Sequence, residues 1–300
     1  MSLYSTLKFV WQHPFNHGRQ LSAVARFVRW QLHCRLFPGC PLVVPWINDV
    51  RLLVHRGESG ITGNLYCGLH EFEDMAFALH FLRPDDLFVD VGANSGAYTL
   101  LACGAAGARG IAVEPVRTTF ERLQDHVLLN RLTSRVDCLN VALGSRPGSL
   151  AFTTALDTQN RALAPGETHP GEATHVPVER LDDVCPTAGG TPTLIKLDVE
   201  GFEVEVLRGG RETLHSPTLQ AVIVELNGSG AAYGFRDEDV VRELDAADFQ
   251  PVSYNATTRQ LTICPSRSSS RHNGIFVRDL PFVSERCRTA PAHCILGRRF

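Results

Sequence analysis

Three charged residues alternate within an otherwise apolar run, residues 194–200 (LIKLDVE). In an extended strand Lys196, Asp198 and Glu200 share one face, because successive side chains point to opposite faces. Such charges are costly on a buried strand unless they meet one another, a ligand or water, which the carboxyl end of a strand allows. We interpret them as a candidate site in which Asp198 and Glu200 act as a base or orient an acceptor, aided by Lys196. Alternatively, Lys196 pairs with the carboxylates and holds them ionised.

A second stretch, residues 87–102 (LFVDVGANSGAYTLLA), is an apolar run that ends in a glycine-bearing loop. Asn94 stands where a dinucleotide fingerprint has the middle glycine that lets the backbone approach a pyrophosphate. A ligand without phosphates, such as S-adenosylmethionine, does not need that approach. Asp90 can accept from its ammonium group, the loop amides can hold its carboxylate, and Glu114 can bind its ribose hydroxyls. The pairing of this loop with Glu114 therefore favours S-adenosylmethionine over a dinucleotide.

The elements that position these residues alternate between apolar strands and helices from residue 86 onwards. Continuously apolar strands are typical of a sheet that helices cover on both faces. The pattern predicts a doubly wound α/β domain whose ligands lie beyond the carboxyl ends of the strands. Glu203 and Glu205 fall in a predicted helix and are expected on its surface. The predicted segments in chain order are DLFVDV, AYTLLACGAA, GIAVE, RTTFERLQDHVLLN, RVDCLNVAL, TLIKLDV, FEVEVLRGGRETL, AVIVEL, DEDVVRELDAADF, PVSYNA, QLTIC and GIFVR.

Three regions are predicted along the chain. Residues 1–80 form an extension that packs on the core, residues 81–283 form the ligand-binding domain, and residues 284–300 form a loosely attached basic tail. The aperiodic stretch 153–180 is predicted to be a long functional or mobile loop on the ligand side.

An amphipathic helix is predicted within the extension. Its apolar positions at helical spacing are Val24, Phe27, Val28, Leu32 and Leu36. We expect these residues to pack on the main domain and the arginines to face water. A helix that binds a membrane surface or a partner is the alternative.

Bulk composition excludes several classes of protein. The net charge of −3 gives no general attraction to nucleic acid, and 44% hydrophobic residues provide for a substantial core. No apolar run approaches the length of about 18 residues that a membrane span needs, and the start lacks a convincing signal peptide. Nine cysteines without a CxxC pair indicate free thiols in a reducing cytoplasm. Lysine occurs only at positions 8 and 196, an arginine bias typical of a GC-rich bacterial genome.

The chain resembles the FkbM family of S-adenosylmethionine-dependent methyltransferases over about residues 65–280. The resemblance rests on the order of the segments FVDVGANSGAYT, AVEPVRTTFERLQDHVLLN, NVALGSRPGSLAF, IKLDVEGFEVEVLRGG, VIVELN and HNGIFV. It implies a class I, Rossmann-like methyltransferase fold with a mostly parallel seven-stranded sheet. It also implies O-methylation of hydroxyls on sugars, glycans or natural products, with a small-molecule or glycan acceptor and no nucleic acid. The oligomeric state stays open.

The resemblance also implies roles for individual residues. Glu114 would bind the ribose hydroxyls, residues 140–142 would lie along the adenine, and the glycine loop would hold the aminoacyl end. Asp198 and Glu200 would face the methyl group and the acceptor. The matching cofactor positions are Asp90, Gly92, Ala93, Asn94, Gly96, Tyr98, Thr99, Glu114, Pro115, Asn140, Val141, Ala142 and Asp198.

Other residues are candidates for the acceptor side. A neutral hydroxyl is a poor nucleophile, so a general base or a metal is expected. A divalent metal held by Asp198, Glu200 and Glu225 is a weaker hypothesis than a carboxylate base, and no dedicated metal site is predicted. The candidate substrate residues are Asn160, Arg161, Glu225 and Asn227, and the histidines that could serve as bases are His70, His169, His175 and His272.

Three rival functions remain open from the sequence. An NAD(P)-dependent oxidoreductase has no use for the charged strand around Asp198. A nucleic-acid or protein methyltransferase on the same fold is the second rival, although a nucleic-acid enzyme would favour a basic domain and an aromatic residue after the fourth strand. A non-catalytic module that retains the cofactor pocket is the third, and the acidic residues in the motifs argue against it.

Overall fold

The computed structural model describes residues 3–153, 161–163, 173–187, 189–264 and 273–300. Within these residues, no helix combines the length and the apolar character that crossing a membrane requires. Three of the candidate residues, Asn160, His169 and His272, lie outside the described residues.

Four helices and a hairpin precede the central sheet. They are α1 (Leu3–Gln12), α2 (Gln20–Leu36), β1 (Leu42–Pro45), β2 (Arg51–Val54), α3 (Ser59–Cys67) and α4 (Phe72–Phe81). Val10, Phe27 and Trp30 belong to the same hydrophobic cluster as Phe77 and Phe88, so this region packs on one face of the sheet. Helix α3 contains two glycines, which weakens its helical signal, and the sequence pattern missed it.

The exposed side of α2 differs from the expectation. Phe27 is buried, but Val28 is 46% exposed, Leu32 50% and Leu36 69%. The buried face consists of Ala23, Phe27 and Trp30. The apolar positions of α2 are therefore divided between two opposite faces, and the prediction that all of them pack on the domain is wrong.

The α/β core follows in two halves. The first half contains β3 (Leu87–Val91), α5 (Ala97–Thr99), β4 (Arg109–Val113), α6 (Arg117–Leu129), β5 (Val136–Leu139), β6 (Ala142–Leu143), β7 (Gly148–Thr153), β8 (Ala173–Glu179) and α7 (Leu181–Thr187). Helix α5 continues as a π-helical segment, Leu100–Ala105. The second half contains β9 (Leu194–Leu197), α8 (Glu203–Arg208), α9 (Arg211–His215), β10 (Ala221–Glu225), α10 (Asp237–Asp245), β11 (Gln250–Asn255), β12 (Gln260–Ile263), β13 (Asn273–Val277), α11 (Leu280–Arg288), β14 (Cys294–Ile295) and β15 (Arg298–Arg299).

Within the described residues, the central sheet has eight strands in the order β12-β11-β13-β10-β9-β3-β4-β5. The five strands from β10 to β5 pair in parallel, and β13 pairs antiparallel with both of its neighbours. This is the predicted doubly wound, mostly parallel α/β fold, with one strand more than the seven expected. The additional edge strand is β12, which pairs antiparallel with β11.

Both faces of the sheet are covered, as the continuously apolar strands predicted. Phe88 and Leu194 point toward the N-terminal helices, whereas Leu87, Val89 and Ile195 point to the cluster formed with α7 to α10. Since side chains alternate along a strand, Asp90 and Lys196 point to the same side as Phe88 and Leu194. The charged ends of β3 and β9 therefore face the N-terminal region.

The stretch 153–180 contains regular structure that was not expected. Strands β6, β8 and β7 form a small second sheet, in which β7 pairs antiparallel with β8. Val176 and Val178 of β8 are buried while His175 and Pro177 are exposed, an alternation that marks a strand with one face on a core. The prediction of a single long loop is wrong for residues 173–179, and residues 154–160 and 164–172 lie outside the described part.

The last residues are packed rather than loosely attached. Helix α11 and the β14–β15 hairpin bury Cys287 and Ile295 completely, at 0% exposure. The Arg298 guanidinium donates to the Phe15 carbonyl at 2.8 Å, and the Phe300 ring stacks on His80 with a centroid distance of 5.0 Å. Buried apolar residues anchor this short, arginine-rich segment. The prediction of a loosely attached tail is therefore wrong.

Candidate active site

A cavity of about 300 Å³ lies at the carboxyl ends of the central strands. The N-terminal region closes it with residues of α3, α4 and the segment between them. The candidate residues that line it are Asp90, Gly92, Ala93, Asn94, Tyr98, Glu114, Pro115, Val141, Ala142, Lys196, Asp198, Glu200 and Glu225. The two charged motifs, more than ninety positions apart in the chain, therefore meet in one place.

The glycine loop is built directly against the end of β9. Gly92 has φ 77°, and a Cβ added to it would lie 1.8 Å from the Asp198 carbonyl oxygen. The amides of Gly92 and Ala93 both donate to the Val113 carbonyl, at 3.0 and 2.9 Å. Gly96 has φ 89° where α5 begins. Glycine at 92 is therefore required by both conformation and close approach.

Two buried carboxylates flank this loop. Thr99 Oγ1 donates to Asp90 Oδ2 at 2.6 Å, and the Asn94 amide donates to Glu114 Oε2 at 3.0 Å. The Val116 amide donates to the other Glu114 oxygen at 2.8 Å. Burial raises the pKa of Asp90 to about 6 and that of Glu114 to about 7. Carboxylates held this way are prepared to accept a cationic or hydroxyl-bearing ligand.

The segment after β5 forms the wall beside Glu114. Val141 and Ala142 line the cavity together with Phe152 of β7, which sequence reasoning did not identify. Asn140 does not appear among the described lining residues. Its side-chain amide instead donates to the carbonyls of Glu114 and Pro115, at 2.9 Å each, and so braces the turn that carries Glu114.

The turn after β9 has an unusual backbone. Glu200 lies in the left-handed region with φ 53°, which costs energy for a residue with a side chain, and Gly201 follows with φ 104°. A Cβ at Gly201 would lie 2.6 Å from the Ser229 backbone. Glu203 Oε1 accepts from the amides of Val199 and Gly201, at 3.1 and 3.2 Å. Glu203 is only 4% exposed, so the prediction that it lies on the helix surface is wrong. Its carboxylate stabilises the turn instead.

Three carboxylates gather where this turn meets the end of β10. Oxygen atoms of Asp198, Glu200 and Glu225 lie within 4.8 Å of one another. Burial, followed by the charge of Asp198, raises the pKa of Glu200 to about 7 and that of Glu225 to about 9. Carboxylates crowded in this way favour a shared proton, and the same oxygens have the spacing to hold a divalent cation. The arrangement suits a group that takes up a proton near neutral pH.

Lys196 is the cation beneath the cluster. Its side chain is 1% exposed, and its Nζ lies 2.9 Å from Asp198 Oδ2 and 5.1 Å from the centre of the Tyr98 ring. Burial by itself lowers the pKa of Lys196, but the charges of Asp198, Glu71 and Asp90 outweigh it and hold the pKa above its ordinary value. The ammonium group therefore stays charged and fixes Asp198 on the cavity side.

Replacing Lys196 with methionine should destabilise the folded chain. The change leaves the buried Asp90 and the half-buried Asp198 without their cation, and removing one partner of a buried pair is strongly destabilising. Because the Asp198 side chain is 34% exposed, we expect a loss of roughly 2–4 kcal/mol, below the full buried-pair value. Urea unfolding at neutral pH measures it. Lys8→Met replaces the other lysine of the chain, which is exposed on α1, and should cost less than about 0.5 kcal/mol. Equal losses in both variants would contradict this role of Lys196.

The N-terminal region supplies a wall that the sequence motifs did not indicate. Tyr98 OH donates to Glu71 Oε2 at 2.5 Å, and Asn273 Nδ2 donates to Asp74 Oδ2 at 3.2 Å. Burial, with the charge of Glu71, raises the pKa of Asp74 to about 7. Glu71 and Met75 line the cavity. The acidic first turn of α4 was the available signal, but nothing local shows that Glu71 lies beside Tyr98 and Lys196.

The remaining candidates are distributed around the cavity. His70 lines it, and burial lowers the pKa of His70, which favours the neutral imidazole. Asn227 Oδ1 accepts from the Ser229 amide at 2.8 Å, at the turn that packs against Gly201. Arg161 donates through Nη1 to the Ala162 carbonyl at 3.1 Å, beside β7. His175 is exposed on β8. Of these four, His70 is the one that the structure places in the cavity wall.

Comparisons with known proteins identify the family of the chain. The profile of the Methyltransferase FkbM domain matches residues 90–251, which include both motifs. The chain is 33% identical over 168 residues to Methyltransferase 1 of Beauveria bassiana, covering 48% of this chain and 66% of that protein. It is 30% identical over 169 residues to the hexuronic acid methyltransferase AglP of Haloferax volcanii, covering 55% of this chain and 64% of that protein.

A third relative is the 31-O-demethyl-FK506 methyltransferase FkbM of Streptomyces tacrolimicus. It is 29% identical over 196 residues, covering 54% of this chain and 74% of that protein. The chain thus spans just under two thirds of the length of the first two relatives. The family profile matches more than half of the chain and includes every residue from Asp90 to Glu225 discussed above. The resemblance seen in the sequence is therefore confirmed, and this chain belongs to the FkbM methyltransferase family.

Proposed function

We propose that this protein is an S-adenosylmethionine-dependent methyltransferase that methylates a hydroxyl group on a sugar, a glycan or a small natural product. The observation that carries the proposal is the charge of the cavity. Six of the described residues that line it are Asp or Glu, and one is Lys. A cationic sulfonium with an ammonium group is attracted to such a site, whereas the phosphates of NAD(P) or of a nucleic acid are repelled.

The donor set of the cavity fits this cofactor. Glu114 would bind the ribose hydroxyls, and Asp90 would accept from the ammonium group. The amides of residues 92–96 already donate within the protein, so the amides at the start of α5 would hold the carboxylate. Val141, Ala142 and Phe152 offer an apolar wall for a flat base. When bound, the cofactor supplies an electrophilic methyl group to a nucleophile placed in line with its carbon–sulfur bond.

The residues of the chain would then act on the acceptor. In this proposal Glu200 accepts the proton of the acceptor hydroxyl, since the pKa of Glu200 is raised to about 7. Asp198, fixed by Lys196, orients the acceptor, and Glu225, whose pKa is raised to about 9, shares its proton with the cluster. The left-handed backbone at Glu200 holds its carboxylate in place before the acceptor arrives. The same three carboxylates are also the residues that would hold a divalent cation.

The names of two relatives support an acceptor of this class, and one of the two names an oxygen as the methylated atom. One is named a hexuronic acid methyltransferase and the other a 31-O-demethyl-FK506 methyltransferase. A cytoplasmic location is part of the proposal, supported by nine cysteines that are all free thiols.

Ligand binding tests the cofactor assignment. S-adenosylhomocysteine at about 100 times its Kd should stabilise the protein by about 2.7 kcal/mol, which thermal unfolding detects as a rise in Tm. NAD at the same concentration should leave Tm unchanged. Glu114→Gln should weaken the S-adenosylhomocysteine shift, while Glu121→Gln, an exposed glutamate on α6, serves as the control. A shift with NAD and none with S-adenosylhomocysteine would favour the oxidoreductase instead. A screen with methyl-labelled cofactor over glycans, lipid-linked sugars and small hydroxylated metabolites then identifies the acceptor.

A further inference from the structure

Helix α2 carries a second apolar face that points to solvent. Besides its buried face, it has an exposed stripe at four-, three-, four- and four-residue intervals, which a helix of 3.6 residues per turn places on one side. We call this the α2 stripe. Its members are Leu21, Ala25, Val28, Leu32 and Leu36, all exposed, with Leu21 at 78%. Phe37 and Leu42 extend the stripe into a shallow groove.

The charge of this region is segregated from the rest of the chain. Residues 1–48 contain no Asp or Glu and five basic residues, whereas the whole chain has a net charge of −3. Residues 49–300 therefore carry a formal charge of −8. Arg29 borders the groove on α2, and Arg35 is exposed beside Leu36. On the helical wheel these two arginines lie on opposite sides of the α2 stripe.

Helix α1 adds residues of the same character. Tyr4 is 79% exposed and Trp11 is 49% exposed, and Lys8 lies between them on the same helix face at four- and three-residue spacing. Exposed tyrosine and tryptophan side chains with a neighbouring lysine are typical of segments at the boundary between water and lipid. A helix face that stays in water usually carries charged residues of both signs, and this face of α1 does not.

We propose that the α2 stripe, with Arg29 and Arg35 beside it, binds the surface of an anionic lipid bilayer. The apolar side chains would enter the boundary between headgroups and acyl chains, and the arginines would contact lipid phosphates. The acidic remainder of the chain would turn away from the same surface, which orients the molecule. A second copy of this chain is a poorer occupant, because a two-fold contact would bring two basic surfaces together. The proposal does not depend on the reaction in the cavity.

Vesicle binding by the full chain tests the proposal. The wild-type protein should co-sediment with vesicles of equal parts phosphatidylcholine and phosphatidylglycerol, and weakly or not at all with pure phosphatidylcholine. Raising the salt concentration to about 0.5 M should release it, because screening weakens contacts with phosphates. Leu32→Gln combined with Leu36→Gln should lower the partition coefficient by about tenfold or more. Arg29→Gln combined with Arg35→Gln should act in the same direction and reduce the salt dependence.

Matched controls make the outcomes decisive. Leu128→Gln removes a leucine of α6 that is 67% exposed, and Arg211→Gln removes an exposed arginine of α9, so neither should change vesicle binding. A cooperative thermal unfolding transition at the wild-type Tm shows that each variant is folded, independently of vesicle binding and of the reaction in the cavity. The proposal is overturned if the wild type ignores anionic vesicles, or if the control variants lose binding equally. It is also overturned if sedimentation velocity shows a dimer that the α2 variants dissociate while vesicle binding stays absent.

Discussion

Replacing Glu200 with glutamine is expected to lower kcat by about 100-fold or more, because general bases contribute about 10²–10⁴-fold to such reactions. The exchange keeps the shape of the side chain and removes its ability to accept a proton. Binding of S-adenosylhomocysteine should change little, since the predicted cofactor contacts are made by the glycine loop and Glu114. Labelled-methyl transfer to the acceptor found in the screen measures kcat, and titration calorimetry measures binding. Glu212→Gln, an exposed residue of α9, is the control and should behave as wild type.

The pH profile gives this experiment a second readout. Burial and the neighbouring charges of Asp198 and Glu203 raise the pKa of Glu200 to about 7. A carboxylate with a raised pKa keeps its proton longer as the pH rises, and a base acts only without its proton. The wild-type kcat/KM should therefore fall about tenfold per unit as the pH drops below 7. In Glu200→Gln this slope should disappear when kcat/KM is measured for the acceptor at saturating cofactor, where titration of Asp90 and Glu114 does not contribute. A wild-type rate in the variant, with the slope retained, would show that Glu200 is not the base.

Treatment with EDTA separates the two uses of the carboxylate cluster. A rate that EDTA leaves unchanged assigns the cluster to proton transfer. A rate that EDTA abolishes and a divalent cation restores assigns Asp198, Glu200 and Glu225 to metal binding.

Replacing Gly92 with alanine is expected to raise the Kd for S-adenosylhomocysteine by about 100-fold or more, because two costs coincide at this residue. Its φ of 77° is unfavourable for alanine, and the new methyl group would lie 1.8 Å from the Asp198 carbonyl oxygen. The glycine loop must move away from β9, and its contact with the turn after β9 is lost. Titration calorimetry gives the Kd, and urea unfolding gives the accompanying loss of stability.

A second glycine isolates the steric part of that effect. Gly39 has φ 82° and open space around its Cβ position, so Gly39→Ala carries the conformational cost without a collision. It should cost about 1 kcal/mol and leave cofactor binding unchanged. If Gly92→Ala fails to fold while Gly39→Ala folds, the collision with the Asp198 carbonyl oxygen, and not the backbone conformation alone, prevents folding. If Gly92→Ala binds S-adenosylhomocysteine as tightly as wild type, the loop does not clamp the cofactor.

The sequence predicted the parts of the site that local pattern determines. Alternation placed Lys196, Asp198 and Glu200 near one another, and the apolar run before Gly92 located the loop at a strand end. Both follow from the short period of a strand and from the edge where parallel strands end. The class of fold followed from the same alternation of strands and helices.

Other parts depend on contacts between distant segments, which no local pattern reveals. Glu71 reaches the cavity because α4 packs against β11 and the π-helical segment, and the acidic turn of α4 is equally typical of an ordinary helix start. Glu203 looked like a surface residue because the strained turn that it stabilises was not visible in the sequence. The burial of Val176 and Val178 required the small second sheet. Helical spacing showed that α2 is apolar, but it could not distinguish which of its two apolar faces is buried.

The packing of the last residues has a consequence for how the chain folds. Helix α4, which carries Glu71 and Met75 to the cavity, is held from outside by α11: Arg83 and Arg286 join the two segments, with donor and acceptor 203 and 205 positions apart. Contacts of such high sequence separation form late, because the chain loses the entropy of a long closed loop before the contact stabilises it. We infer that α11 docks on α4 late in folding, so the outer support of the helix beside the cavity is among the last contacts to form.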